Sequence, residues 1–270
     1  MSRYVAVIVF ACMMMIHAHG VELTPAEKYE QGMAFILLST SSTEQLQGVE
    51  LLRSAASQGY GPAQTAMGTL LENGILLMPD AHQAVDWYKK SADQGDWIAQ
   101  FSLGRLYLGG AISRDTTEAK KWLALAAKAG SSGAAYYMGL LHDENQNVGP
   151  DFPTARKWYL QAAQLGNPFA QQRLAELLAN GMGGERDRQQ AYMWLLVSLE
   201  LGNETAAALL PSLEFDIGQN GRDAARTQAL GVIDQVLENR RAGCHGWKTE
   251  FLASPLPPSL ARQQICERSL

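Results

Sequence analysis

The sequence predicts an all-α protein: a right-handed α/α superhelix, or solenoid, of two-helix repeats closed by a C-terminal helical cap. Three observations carry this. Trp87, Trp122, Trp158 and Trp194 recur at intervals of 35, 36 and 36 residues. Each follows an alanine by three positions (Ala84, Ala119, Ala155, Ala191) and precedes a glycine by eight (Gly95, Gly130, Gly166, Gly202). Between alanine and glycine the apolar residues fall at helical spacing, as Ala84, Trp87, Tyr88, Ser91 and Ala92 do.

Residues 1–20 differ in chemistry from the rest. Arg3 precedes the apolar run Val5 to Ile16, and Ala18-His19-Gly20 supplies small residues at a cut site. This is the layout of a cleavable export signal, with cleavage after Gly20 and a periplasmic or secreted mature chain. The run is too short to span ~30 Å of hydrocarbon, which takes about 20 residues. A second reading stays open: Cys12, preceded by Val9-Phe10-Ala11, as a lipidation site, the one route by which this sequence gives membrane attachment.

The repeat units fall at 24–59, 60–95, 96–130, 131–166 and 167–202, each a helix, a loop and a second helix. The first is degenerate, with Leu51 in place of the tryptophan and Gly59 continuing the glycine series. Those glycines sit where a helix end turns left-handed. Within the first helices Gly68, Gly104 and Gly139 recur, with Ala175 at the next place. A small residue there lets two helix backbones approach, and the tryptophan of the partner helix is expected to fill the space beside it. Asn73-Gly74, Gly109-Gly110 and Gly181-Met182-Gly183-Gly184 mark loops, while the fourth unit carries a polar connection from His142 to Pro150.

After Gly202 the period stops. Residues 203–242 read as capping helices, Ala206 to Leu213 and Asp223 to Arg241, the second amphipathic through Ala225, Ala229, Val232, Ile233, Val236 and Leu237. Residues 243–270, with Pro255, Pro257 and Pro258, are expected to be irregular. Cys244 and Cys266, the cysteines left once a leader is removed, are expected to pair as a disulfide in an oxidising compartment; two free thiols are the alternative.

Composition narrows the function. The chain is 47% hydrophobic, within the globular range, and carries 27 acidic against 22 basic residues, net -5. An acidic surface does not displace counterions from phosphates, which argues against nonspecific nucleic-acid binding. Beyond the leader the histidines are His82, His142 and His245, none at metal-ligand spacing from another. His142 is followed by Asp143 and Glu144, read as loop carboxylates, and Cys244-His245 are too close in sequence to specify a nucleophile and base. The sequence contains no Gly-x-Ser-x-Gly elbow, phosphate-cradling loop or His-Glu-x-x-His helix, so no catalytic residue, cofactor or metal ligand is assigned.

Leu103-Gly104-Arg105-Leu106-Tyr107, Ala119 with Trp122, and Ala126-Ala127 with Gly130 resemble the Sel-one-like repeat family, a relative of the tetratricopeptide repeat; Trp158-Tyr159 with Ala162-Ala163 and Gly166 is a second good copy. The resemblance implies an adaptor: bacterial members look like scaffolds of signalling or envelope complexes, or periplasmic immunity proteins that neutralise lipase toxins. Some secreted relatives hold a disulfide in every repeat, and this sequence lacks those cysteines. The expected function is therefore a non-catalytic protein-protein interaction module of the bacterial envelope. Its partner is expected to be a protein or peptide, with a lipase-type effector among the candidates and a secreted hydrolase as the alternative reading.

In stacked two-helix repeats the first helices line the concave wall. Counting from the small residue of each first helix, three before and one after, gives Thr65 and Thr69, Phe101 and Arg105, Tyr136 and Leu140, and Gln172 and Glu176. Four after come Glu72, Leu108, Asp143 and Ala179. Phe101, Arg105 and Tyr136 have the composition of an interface hot spot; the alternative is that the two rings pack against a neighbouring unit.

Overall fold

The computed structural model describes residues 22–109, 111–144 and 149–251, with side chains as far as residue 239. Helices pair along the chain: α1 (Pro25–Leu38) with α2 (Ser42–Ser57), α3 (Gly61–Asn73) with α4 (Ala81–Ala92), and α5 (Trp97–Gly109) with α6 (Thr116–Lys128). They are followed by α7 (Ser132–Asp143) with α8 (Phe152–Gln164), and α9 (Pro168–Asn180) with α10 (Arg188–Glu200). Each helix packs on the next, and α3, α5, α7 and α9 also touch in succession. The second helices approach one another less, so the first helices form the inner wall. Among the described residues there is no strand, and no helix is long and apolar enough to cross a membrane.

Local chemistry sets the boundaries. Every second helix from the second unit onward starts at an aspartate whose carboxylate accepts a backbone N–H of the first turn: Asp80 from Gln83, Asp115 from Thr117 and Glu118, Asp151 from Thr154, Asp187 from Gln190. Thr24 and Glu27 form a capping box on α1. Past the other end of each pair, Gly59, Gly95, Gly130, Gly166 and Gly202 have φ of 89°, 92°, 94°, 81° and 96°, the left-handed turn that an L side chain resists.

The glycine notches are real, but tryptophan does not fill them. A Cβ on Gly68 would lie 2.7 Å from the Tyr88 ring, on Gly104 2.5 Å from Leu123, and on Gly139 2.5 Å from the Tyr159 ring. The occupant is the residue after each tryptophan: Tyr88, Leu123, Tyr159 and Leu195, with Leu52 in the first unit, all fully buried. In that unit Gly32 faces Gly48 directly, each leaving room for the other's backbone carbonyl. Successive helical residues point about 100° apart, which swings the indoles out of the notch and back toward the preceding unit. Trp122 accordingly shares a core with Ala84, Val85 and Tyr88, and Trp87 packs on the core of Val49, Leu52 and Met67.

A second device joins units through buried amides. Gln64, Gln100 and Gln171 donate through Nε2 to the carbonyls of Ala56, Ala92 and Ala163, at 3.1, 3.2 and 3.0 Å. The fourth unit has Ala135 at that place, and Gln161 reaches the equivalent carbonyl of Ala127 at 3.0 Å. Each amide gives a second donor to a helix-end carbonyl that already accepts the N–H of the left-handed glycine (Gly59, Gly95, Gly130 or Gly166), and so ties two neighbouring units together there.

Beyond α10 a short 3-10 turn (Glu204–Leu209) leads into α11 (Leu210–Phe251), which breaks only at Gly218 (φ 66°, ψ -177°). This corrects the expected boundaries. Ala206 lies in the 3-10 turn, helix replaces the gap between Leu213 and Asp223 on either side of Gly218, and residues 243–251 are helical rather than irregular. Residues 243–251 contain no proline, and the breakers come only at Pro255 and after. Ala225, Ala229 and Val236 are buried, with Val232 and Ile233 packed on the same core, so α11 covers the last repeat. Tyr192 donates to Glu214 at 2.7 Å, and Arg188 pairs with Asp216 at 3.1 Å. Residues 1–20, Cys266 and the Cys244 side chain lie outside what is described, and with them the leader, the Cys12 lipidation and the disulfide.

Candidate functional site

The inner wall of units three to five carries a string of rings. Phe101 on α5 lies 5.9 Å from Tyr137 on α7, centroid to centroid, and Tyr137 lies 5.9 Å from its neighbour Tyr136. Tyr136 is 6.3 Å from Phe169 on α9 and 5.9 Å from the buried Tyr159. Gly133, having no side chain, makes room for the Phe101 ring, since a Cβ there would stand 3.1 Å from its Cζ. Phe101 therefore both rests on the next unit and shows a face. Tyr136 and Tyr137 are half-buried, and Phe169 is 57% exposed. Burial holds the Tyr136 hydroxyl above its ordinary pKa, against the pull of Arg173.

Charges on the wall are paired across units. Arg105 on α5 is bound by Glu72 on α3, and Arg173 on α9 by Asp143 on α7, with Glu176 at 2.7 Å from the same guanidinium. The notch tyrosines reach through to these carboxylates: Tyr88 donates to Glu72 and Tyr159 to Asp143, both at 2.9 Å. Where the notch holds leucine, in units three and five, the wall position is Leu108 or Ala179 and needs no donor. The pairing of tyrosine with acid, and of leucine with an apolar residue, keeps every buried hydroxyl in these units satisfied.

Two wall assignments are corrected. Thr65 is 1% exposed and bonds Ser91 at 2.7 Å and Asp96 at 2.6 Å, so it ties α3 to the turn after α4 instead of facing the groove. Asp143, expected at the surface and then in a loop, is the last residue of α7 and buried under Arg173 and Tyr159. Thr69 is half-buried, bonded to Thr65 O at 3.0 Å and beside the Tyr88 hydroxyl at 3.2 Å. Leu140 packs on the core of units four and five. Gln172 donates to Glu176 at 3.0 Å and accepts from Asn203 and Thr205, both at 2.7 Å. Glu176 also lines a cleft of about 230 Å³, with Ala179, Asn180, Leu209 and Asp216, where α11 closes the C-terminal end of the groove.

Tyr137, Phe169 and Arg173 were not among the expected wall residues. Phe169 had a legible signal: a phenylalanine in the first turn of a helix at the register of Gly133, Ile98 and Pro62. His142 lies in the last turn of α7, with Nδ1 3.6 Å from Asp151, and burial followed by Lys120 holds its pKa below the usual imidazole value. No group of three or more His, Cys, Asp or Glu able to hold a metal ion occurs among the described residues.

The Sel1 repeat family model matches residues 44–60, 61–96, 97–131, 132–167 and 168–203. The chitin synthase regulator SKT5 of Saccharomyces cerevisiae is 30% identical over 135 residues, 48% of this chain but 19% of that protein, so the chain spans under a fifth of that relative. A Sel1 repeat protein from Oxalobacter formigenes superimposes with a TM-score of 0.64 at 25% identity, covering 77% of this chain and 88% of the other. The c5321 protective antigen of uropathogenic Escherichia coli gives 0.52 at 20% identity, over 87% of this chain and 57% of that one, and shares the fold. The chain belongs to the Sel1 repeat family.

Proposed function

We propose that this Sel1 repeat chain is a non-catalytic protein-binding module of the bacterial envelope, exported through residues 1–20, that captures a protein segment on its inner wall as an adaptor or a toxin-neutralising immunity protein. The observation that carries the reading is the ring string from Phe101 to Phe169. It runs unbroken across three units, partly exposed, between charges already neutralised by their neighbours. Aromatic surface bounded by satisfied polar groups is what interface hot spots are made of, because it offers area without desolvating a free charge. Export is supported by Arg3, the apolar run and Ala18-His19-Gly20. A lipase-type effector is one partner this role would fit.

The test is capture from the native host with three versions of the full chain: wild type, a Tyr136→Ala/Phe169→Ala pair on the wall, and a Lys157→Ala/Leu160→Ala pair on the second-helix face of unit four. The wall pair should lose the partner while the outer pair retains it. Loss on the outer face alone, or mutation-sensitive turnover of ester or cell-wall substrates, would overturn the proposal. N-terminal sequencing of the exported chain should begin at Val21.

A further inference from the structure

The outer helices of units three and four have the opposite charge to the rest of the chain. α6 and α8 carry Lys120, Lys121, Lys128, Arg156 and Lys157 against one acid, Glu118, which makes them net +4 in a chain that is net -5, so everything else sums to -9. The outward rows of the second helices show where this patch begins and ends. One row, read a repeat at a time, holds Glu50, Asp86, Lys121, Lys157 and Met193; two turns later the matching row holds Ser57, Asp93, Lys128, Gln164 and Glu200. Along these rows lysine stands only in units three and four, with acid on either side.

The same patch exposes leucine. Leu125 sits between Lys121 and Lys128 on α6, Leu160 one turn after Lys157 on α8, and Leu165 in the turn that follows, all three exposed. Lys120, Lys128 and Lys157 make no ion pair among the described residues, and Lys121 reaches only Glu118, at 3.4 Å. Unpaired ammonium groups interleaved with aliphatic side chains have the chemistry of an interfacial membrane surface: the leucines enter the acyl boundary while the lysine stems extend their charges to the phosphates.

The choice of cation favours lipid over a folded acidic partner. Protein interfaces are enriched in arginine and depleted in lysine, yet four of these five cations are lysine, and Arg156 is already held by the Glu185 carbonyl at 3.0 Å. A lysine is a flexible point charge that imposes no fork geometry, which suits headgroups that diffuse. Asp86 and Asp93 on one side and Glu200 on the other would be repelled by the same surface, so only the middle of the outer face can approach it.

We infer that the outer face of units three and four rests on an anionic phospholipid surface, leaving the inner wall open. The contact is peripheral, since no described helix is long and apolar enough to cross a bilayer, and it needs no lipid on Cys12. It stands or falls separately from the inner wall as a binding surface.

The experiment is co-sedimentation of the full mature chain with vesicles of equal parts phosphatidylglycerol and phosphatidylcholine, and with vesicles of phosphatidylcholine alone. Wild type should sediment with the first and not the second, and high salt should release it as the screening length falls from about 10 Å at 0.1 M to about 3 Å at 1 M. A lysine near an anionic bilayer contributes about fivefold in partitioning, so Lys121→Gln/Lys157→Gln should weaken binding about twentyfold. Leu125→Ser/Leu160→Ser, at exposed side chains, should weaken it several-fold, whereas Tyr136→Ala/Phe169→Ala on the inner wall should bind as wild type does. Circular dichroism of each variant should match wild type. Equal binding to phosphatidylcholine alone, or wild-type binding by the double lysine variant, overturns the inference. Loss of binding in the wall pair alone overturns the choice of face. No sedimentation of wild type at low salt also overturns it, and an acidic protein crosslinked through Lys157 in the host would then reassign the face to a protein partner.

Discussion

Gly139→Ala isolates the packing rule of the array. A methyl group there would stand 2.5 Å from Cδ1 and Cε1 of Tyr159, where carbon atoms prefer about 3.5–4.0 Å. The ring must shift by about 1 Å, yet it is fully buried, bonded to Asp143 at 2.9 Å and backed by Tyr136. Overpacking of this kind costs about 1–3 kcal/mol, and alanine returns up to about 1 kcal/mol of helix propensity, so the expected net loss is about 1–2 kcal/mol. Gly231→Ala on α11 is the control. Nothing lies within 4 Å of its Cβ position, so only the propensity gain of about 0.5–1 kcal/mol remains and the sign reverses. Urea unfolding followed by circular dichroism reads both. Adding Tyr159→Leu to Gly139→Ala recreates the Ala175 and Leu195 pairing of the fifth unit, and the double mutant should recover about 1 kcal/mol relative to the sum of the singles. If Gly139→Ala stabilises as much as Gly231→Ala does, or the double mutant is strictly additive, the notch account is wrong.

Other outcomes follow from the same geometry. Trp122→Ala, removing a 5% exposed indole from the seam with the preceding unit, should cost about 3–5 kcal/mol in the same unfolding assay. Thr65→Val should cost about 1–3 kcal/mol, because Ser91 and Asp96 lose a buried partner; a groove-facing threonine would show no change. Burial raises the pKa of Tyr29, Tyr88 and Tyr159 above the ordinary phenol value. The unfolded chain therefore releases those protons first, and stability present below about pH 10 should fall as pH rises beyond it. An absorbance titration at alkaline pH should show part of the tyrosine signal appearing only with unfolding. His142 is displaced the other way. Its neutral form is favoured in the folded chain, so stability should drop as pH falls through about 6.5, and His142→Gln should remove that slope from a thermal-melt series.

The period was plain in the sequence because one small and one large residue recur in every unit, and the left-handed glycines gave the helix ends. The occupant of the notch was not. Trp87-Tyr88, Trp122-Leu123, Trp158-Tyr159 and Trp194-Leu195 each offer two bulky neighbours, and spacing alone does not say which of two adjacent residues points inward. The first unit held the missing hint: it gives up tryptophan at Leu51 yet keeps a large residue at Leu52. The capping aspartates at 80, 115, 151 and 187 were equally regular and would have fixed each second helix from sequence. Thr65 and Asp143 were misplaced for a different reason. Their partners lie 26 to 31 residues away, Ser91 on α4 and Asp96 in the turn after it for one and Arg173 on α9 for the other, and only the stacked array brings them together. Phe169 lies one helical turn before Gln172, outside the positions three before, one after and four after the small residue.

The most direct test of the inner wall as the binding surface is site-specific photocrosslinking in the native host. A photoreactive phenylalanine analogue replaces Phe169 on the wall in one strain and Leu160 on the outer helices in another. The wall position should yield a discrete adduct with one partner, and the outer position none. An adduct from the outer position with none from the wall would contradict the assignment.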